Sequence, residues 1–294
     1  MAMRVLIFGL GYSGTAIAGE AIALGIPTVI ATRQPAPSIA LPCIPLAEAE
    51  REIATATHIV LTAAPGPDGD PILKAFAPAI AAAPFLRWIG YLSSTAVYGD
   101  RSGAWVDETT APTPTSPRGK LRRHAEAEWE AFADRRAVDI FRLAGIYGPG
   151  RSAFDALRSG TARRIDKPGH AFSRIHRDDI AGAVCAAIRQ DRPPGLRILH
   201  LADDQPAESA AVTAEAARLL GVTPPPLLSW AEAEPGMSAM ARSFWVENRR
   251  TASQTTQAAL AYRWRYPNFR AGLEAILAEE RANTAPQQGD VALP

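Results

Sequence analysis

Cysteine is nearly absent: Cys43 and Cys185, far apart and outside any C-x-x-C pattern, are the only two in 294 residues. That argues against a disulfide framework, and the scarcity of histidine argues against a Cys/His zinc site. No metal is expected, and a reducing cytoplasm is the expected compartment. A surplus of one charge is also missing. Lys+Arg number 31 against 30 Asp+Glu, for a formal net charge of +1, so nothing recommends nucleic acid or an anionic membrane as partner. No apolar run reaches the ~20 residues that a membrane span needs. The stretch from Met1 to Ala31 is apolar, but after Arg4 only Val5-Leu6-Ile7-Phe8 precede the glycines. That is too short and too broken for the apolar core of a signal peptide. What remains is ordinary globular composition, 47% hydrophobic and 21% charged, in a length suited to one large α/β domain or two modest ones.

The first half alternates short β-rich runs with helical stretches. Val5 to Phe8 reads as a buried strand, followed by a glycine turn and an Ala-rich helix to about Leu24. Further strands are expected over Thr28 to Ala31, Leu41 to Leu46, His58 to Thr62, Arg87 to Leu92 and Val138 to Leu143. Pro42 and Pro45 mark the third as an edge. A helix containing Pro78 is expected between the fourth and fifth strands. A longer one runs from Pro117 to about Arg135 with an apolar stripe of Leu121, Ala125, Trp129 and Phe132. Beyond it, helices are expected over Asp178 to Arg189, Ala207 to Leu220 and Phe269 to Arg281, with a strand over Arg197 to Leu201. Near-continuous apolar strands separated by helices imply an α/β fold, a Rossmann-type doubly wound parallel sheet covered on both faces.

Gly9-Leu10-Gly11-Tyr12-Ser13-Gly14 fits G-x-G-x-x-G between that first strand and first helix. The first glycine permits a tight turn, the second lets the backbone approach a pyrophosphate, and the third lets helix and strand pack closely. The free N–H groups of the helix start then face the anion. An NAD site usually places an acid at the end of the second strand, for the ribose hydroxyls. Here Ala31-Thr32-Arg33-Gln34 stands there. Arg33 can pair with a 2′-phosphate that a carboxylate would repel, so NADP is expected rather than NAD.

Further motifs follow in order: Thr62-Ala63-Ala64, Ser93-Ser94-Thr95-Ala96-Val97-Tyr98-Gly99, Ser116-Pro117-Arg118-Gly119-Lys120, Arg142-Leu143-Ala144-Gly145-Ile146-Tyr147-Gly148-Pro149, and Arg174-Ile175-His176-Arg177-Asp178-Asp179. Together these resemble the extended short-chain dehydrogenase/reductases, the NAD(P)-dependent epimerase/dehydratase superfamily, over Arg4 to Leu201. The resemblance implies that Thr62, Ala63, Ala64 and Ser93 lie against the cofactor. It also implies that Ser94, with Thr95 beside it, orients a substrate hydroxyl or carbonyl. In this family a Tyr-x-x-x-Lys pair exchanges the proton. This chain has Arg118 and Arg122 at those positions, and an arginine does not exchange protons near neutrality. The chain therefore resembles atypical members in which the cofactor site outlasts the proton-transfer pair.

Two consequences compete. In one, an NADP-dependent oxidoreductase or epimerase-like enzyme survives with another acid/base, with Tyr98, Tyr147 and His176 as candidates. Its small-molecule substrate would be a polar carbonyl or hydroxyl compound, a nucleotide-sugar-like anion among the options. In the other, the protein is a non-catalytic NADP-binding sensor or scaffold, with Arg118 and Arg122 binding an anion or a partner. The expected division is a Rossmann domain over 1–150 and about 172–205, a substrate lobe over about 151–171 and 206–284, and a flexible tail over 285–294. In the lobe, Arg151, Arg163, Arg164, Arg242, Arg249 and Arg250 would suit an anion if they converge, and Phe244, Trp245, Trp264 and Tyr266 could stack on a ring. One of Asp178 and Asp179 would cap its helix. A monomer or a homodimer is expected.

Overall fold

A computed structural model describes residues 2–34 and 40–284; the tail expected beyond Ala285 lies outside the described residues. The amino-terminal half runs β1 (Val5–Phe8), α1 (Tyr12–Ala23), β2 (Thr28–Thr32), β3 (Cys43–Pro45), α2 (Ala49–Thr55), β4 (His58–Leu61), α3 (Pro71–Ala82) and β5 (Trp88–Ser94). Next come β6 (Trp105–Val106), α4 (Pro117–Glu130), β7 (Ala137–Leu143), β8 (Gly145–Tyr147), α5 (Ala153–Arg158), β9 (Arg164–Asp166), β10 (Arg174–His176), α6 (Arg177–Ile188) and β11 (Gly195–Leu201). The chain finishes with α7 (Ser209–Leu220), β12 (Leu227–Ser229), α8 (Trp230–Ala233), α9 (Ala239–Val246), β13 (Arg250–Thr251), α10 (Gln254–Leu260) and α11 (Phe269–Thr284).

Seven strands form one parallel sheet in the order β11-β7-β5-β4-β1-β2-β3. β3 is the edge, as its prolines require. β1, β4 and β7 are buried at every residue because helices cover both faces. One face packs Ile17, Ala18, Ile180 and Val184 of α1 and α6 onto Val5, Ile7 and Phe141. The other packs Ile53, Ile72, Ala125 and Trp129 of α2, α3 and α4 onto Leu6, Phe8 and Ile140. Strand order reverses between β1 and β4, and an open α/β sheet leaves a crevice at the carboxyl ends of such strands.

Boundaries differ from expectation where tertiary contacts intervene. β5 continues to Ser94 because its residues pair with β7 as far as Leu143. α4 stops at Glu130 rather than near Arg135; Phe132 lies in the following turns and reaches the same core by packing against Trp129, with tilted rings whose centroids are 5.6 Å apart. Two two-stranded sheets, β8–β10 and β6–β13, tie later segments to the stretches that leave β7 and β5, and a third, β9–β12, joins two later segments to each other. None of these pairs was visible in the sequence, because each joins two- or three-residue strands distant along the chain.

Candidate functional site

The glycine turn sits at the reversal point. Gly9 has φ +112°, and a Cβ there would lie 2.4 Å from Thr62 Oγ1, while one on Gly14 would lie 2.2 Å from the Gly9 carbonyl oxygen. Both positions exclude a side chain for packing reasons. Gly11 differs: nothing lies within 4 Å of its ideal Cβ, and as the residue before α1 it gives the helix's first N–H groups no side-chain cap. A backbone open to solvent at the positive end of a helix fits a dinucleotide pyrophosphate. Leu10, Tyr12 and Ser13 complete the turn, and Tyr12 anchors it across the crevice by donating to the Pro149 carbonyl at 3.0 Å. Thr62 donates to the Phe8 carbonyl at 2.9 Å, so its side chain braces the turn. Ala63 and Ala64 follow at the crevice edge. β2 ends at Thr32, and Arg33 just beyond it is exposed.

The other wall is built by β5 and α4. Ser94 ends β5 partly exposed, and its hydroxyl oxygen accepts the Ala96 N–H at 3.2 Å, capping the 3₁₀ turn Thr95–Tyr98. Thr95 itself is buried. α4 begins with Ser116 accepting the Gly119 N–H and Pro117 in the first turn. A Cβ on Gly119 would lie 2.5 Å from the Ala96 carbonyl oxygen, so glycine lets α4 lie against the Ser94 turn. Arg118 and Arg122 share a helix face but part company. Arg122 reaches back to β5, donating to the Leu92 carbonyl at 2.7 Å and to Tyr91 Oη at 3.1 Å. Arg118 turns outward beneath α9, 3.8 Å from Met240 Sδ and 5.9 Å from the Phe244 ring centroid.

Several expectations are corrected. The Ser93 side chain does not face the crevice: strand alternation turns it to the opposite face from Ser94, where it donates to buried Glu126 Oε1 at 2.6 Å. Glu126 also forms a two-pronged pair with Arg142, Nε to Oε1 at 3.0 Å and Nη2 to Oε2 at 2.8 Å, and Arg142 Nη1 donates to Tyr98 Oη at 2.7 Å. Tyr98 is fully buried and in hydrogen-bond contact with His200 Nε2 at 2.5 Å; burial pushes its phenol up to about 12. Burial also pushes the Tyr147 phenol up, and holds His176 down at about 4. None of these three groups is an acid/base for neutral pH at an open crevice. His176, not an aspartate, caps α6: its Nδ1 accepts the Asp178 N–H at 3.2 Å. Asp179 instead accepts the N–H groups of Arg265 and Tyr266 and the Tyr262 hydroxyl, tying down the loop before α11.

The lobe arginines divide. Arg151 and Arg163 line one cavity together with Arg174, which was read only as part of a motif. Arg164 and Arg250 lie in β9 and β13, Arg242 lies 3.5 Å from Glu234, and Arg249 pairs with Glu247 at 2.7 Å. Trp245 and Trp264 are core residues, Phe244 is exposed on α9, and Tyr266 packs on His176 at 4.1 Å between ring centroids. The buried Glu126–Arg142 pair escaped sequence reading. Its one signal was an arginine inside the apolar strand Ala137–Leu143.

No family model matches the chain. A structure of a functionally unknown conserved protein from Silicibacter pomeroyi is 41% identical, covering 95% of this chain and 99% of that one, with a TM-score of 0.86. The Escherichia coli K12 protein YeeZ is 35% identical over 136 residues, and the chain spans about half the length (47%) of this curated relative while 46% of the chain itself is matched. Two structures, each 21% identical, share the fold with TM-scores of 0.76: MoeE5 in complex with UDP-glucuronic acid and NAD, and a human epimerase family protein with NADPH. These cover 95% and 94% of this chain and 99% of each of theirs. The chain thus belongs to the family of the Silicibacter pomeroyi protein, and it has the fold of the NAD-dependent epimerase/dehydratase, or extended short-chain dehydrogenase/reductase, superfamily.

Proposed function

We propose that the protein is an NADP-dependent oxidoreductase or epimerase-like enzyme acting on a polar, anionic carbonyl or hydroxyl compound. The observation that carries this reading is the glycine turn, where packing requires Gly9 and Gly14 while Gly11 stands open beneath uncapped helix N–H groups. Gly11, Tyr12 and Ser13 would hold the pyrophosphate by their backbone, and Arg33 the 2′-phosphate. The bound nicotinamide supplies or accepts a hydride. Ser94, whose hydroxyl hydrogen is left over from its capping bond, orients the reacting oxygen of the substrate. Arg122, bonded to the Leu92 carbonyl and the Tyr91 hydroxyl near the same strand end, adds positive charge to that wall and favours an anionic substrate. It keeps its own proton, so the proton that reaches or leaves the oxygen exchanges with solvent.

A second reading, a non-catalytic NADP-binding sensor, is favoured by the burial of Tyr98, Tyr147 and His176, which leaves the crevice without those proton carriers. Titration with NADPH and with NADH, followed by nicotinamide fluorescence, and then turnover with a panel of carbonyl compounds, separate the alternatives. The enzyme binds NADPH more tightly than NADH and turns over at least one compound at a rate that Ser94→Ala lowers at least tenfold. Tight NADPH binding without turnover establishes the sensor, and binding of neither nucleotide removes both readings.

A further inference from the structure

A cavity of about 300 Å³ opens between α5, β9, α7 and α11, at the lower end of the size range of small-molecule sites. Its wall includes Arg151, Arg163, Arg174, Tyr147, Thr161 and Ser209, and no aspartate or glutamate lines it. Ser94, Arg118 and Arg122 do not line it either, so it is distinct from the reaction centre proposed above.

Arg158 on the adjoining helix is paired with Glu280 at 2.6 Å, but none of the three cavity arginines makes an ion pair among the described residues. Arg163 donates only to the Gly236 carbonyl, at 3.2 Å. Arg174 is partly buried, and its one hydrogen-bonding nitrogen, Nη1, is shared between the Phe172 and Ala207 carbonyls at 2.9 Å each. Behind it lies Asp203, whose carboxyl burial lifts to about 8 while the Arg174 guanidinium draws it back down. Three arginines line one cavity with no carboxylate among its lining residues, and a multiply charged anion gives them a shared partner.

We propose that this cavity is a binding site for the phosphate group of a small metabolite, held by Arg151, Arg163 and Arg174. A phosphate carries up to two charges and three peripheral oxygens, which suits three separate guanidinium groups better than a carboxylate does. Arg151 also lies 5.7 Å from the centroid of the Tyr12 ring in the glycine turn, so the phosphate site and the crevice share a wall. The proposal stands on the cavity's own residues and is independent of the dinucleotide assignment.

The test uses the intact protein and inorganic phosphate, titrated by calorimetry and by thermal shift at constant ionic strength with chloride as balance. Wild type is expected to show saturable stabilisation below about 50 mM phosphate. Arg163→Gln alters an exposed side chain and keeps its melting temperature in chloride, but weakens phosphate roughly tenfold or more, as loss of a charge-assisted contact requires. Gly11→Val, which fills the glycine turn, leaves phosphate binding in place. No saturable effect, a change of less than about threefold in Arg163→Gln, or loss in Gly11→Val with retention in Arg163→Gln overturns the proposal. Equal binding of succinate overturns the choice of phosphate over carboxylate. NADPH titration of wild type is scored separately, so failure of the cofactor reading is not mistaken for failure of this one.

Discussion

Arg33, Arg118 and Arg122 carry the same side chain into three different environments, and their effects separate accordingly. Arg33 is exposed beyond β2, so Arg33→Ala is expected to leave the melting temperature unchanged while weakening NADPH about tenfold and NADH little, as compared by nicotinamide fluorescence. Equal losses for the two nucleotides would show that it does not read a 2′-phosphate. Arg122 is tied to the Leu92 carbonyl and so braces the strand end. The pair beneath them is purely internal. Glu126 is fully buried and Arg142 3% exposed, and removing one partner strands the other's charge. Glu126→Ala is expected to cost about 3–5 kcal/mol in urea unfolding, and Glu126→Leu with Arg142→Met much less than the sum of the single changes. Sequence could not reveal this pair, because the two residues lie on a helix and a strand whose contact is set by the sheet.

Strand, turn and helix at the amino terminus were readable because everything they need is local: four apolar residues, three glycines at fixed spacing and an Ala-rich helix. The local geometry separates the glycines by role. Gly11→Ala meets open space and is expected to cost at most a few tenths of a kcal/mol, whereas Gly14→Ala drives a methyl into the Gly9 carbonyl and is expected to cost about 1–3 kcal/mol, measured by denaturant unfolding. If the two cost the same, the turn does not pack as described. α6 shows the opposite case. A pair of aspartates at a helix start reads as a cap, yet His176 takes that role, and the buried Asp179 is used by a loop more than eighty residues later. Nothing near Asp179 in the chain announces Arg265 and Tyr266.

For the molecule as a whole, buried ionisable groups predict a pH optimum of stability. Burial holds His58, His170 and His176 at about 4, so each binds a proton more readily in the unfolded chain. The stability this contributes is present above their unfolded value near 6.5 and is lost as the pH falls towards 4. Asp203, lifted to about 8 by burial, acts in the opposite sense: the unfolded chain releases its proton first, and stability falls as the pH rises from about 4 to 8. His200 is shifted in the same sense as the other histidines, and Asp70 and Asp179 in the same sense as Asp203. The histidine gain is complete by about 6.5 while the loss from Asp203 continues to about 8, so the melting temperature should peak near pH 6.5. A melting temperature that climbs steadily to pH 8 would contradict the burial of Asp203. Among the described residues, no helix is long and apolar enough to cross a membrane.

The amino-acid order was sufficient for the α/β class and for the glycine turn. Those features rest on periodicity and on spacing within a few residues. Packing decided the rest: that Ser93 and Ser94 face opposite ways, that Tyr98 and His176 are sealed from solvent, and that Arg151, Arg163 and Arg174 line one cavity. The reason is physical. Burial and charge balance are properties of what surrounds a side chain, and here the surrounding groups come from segments tens to hundreds of residues away.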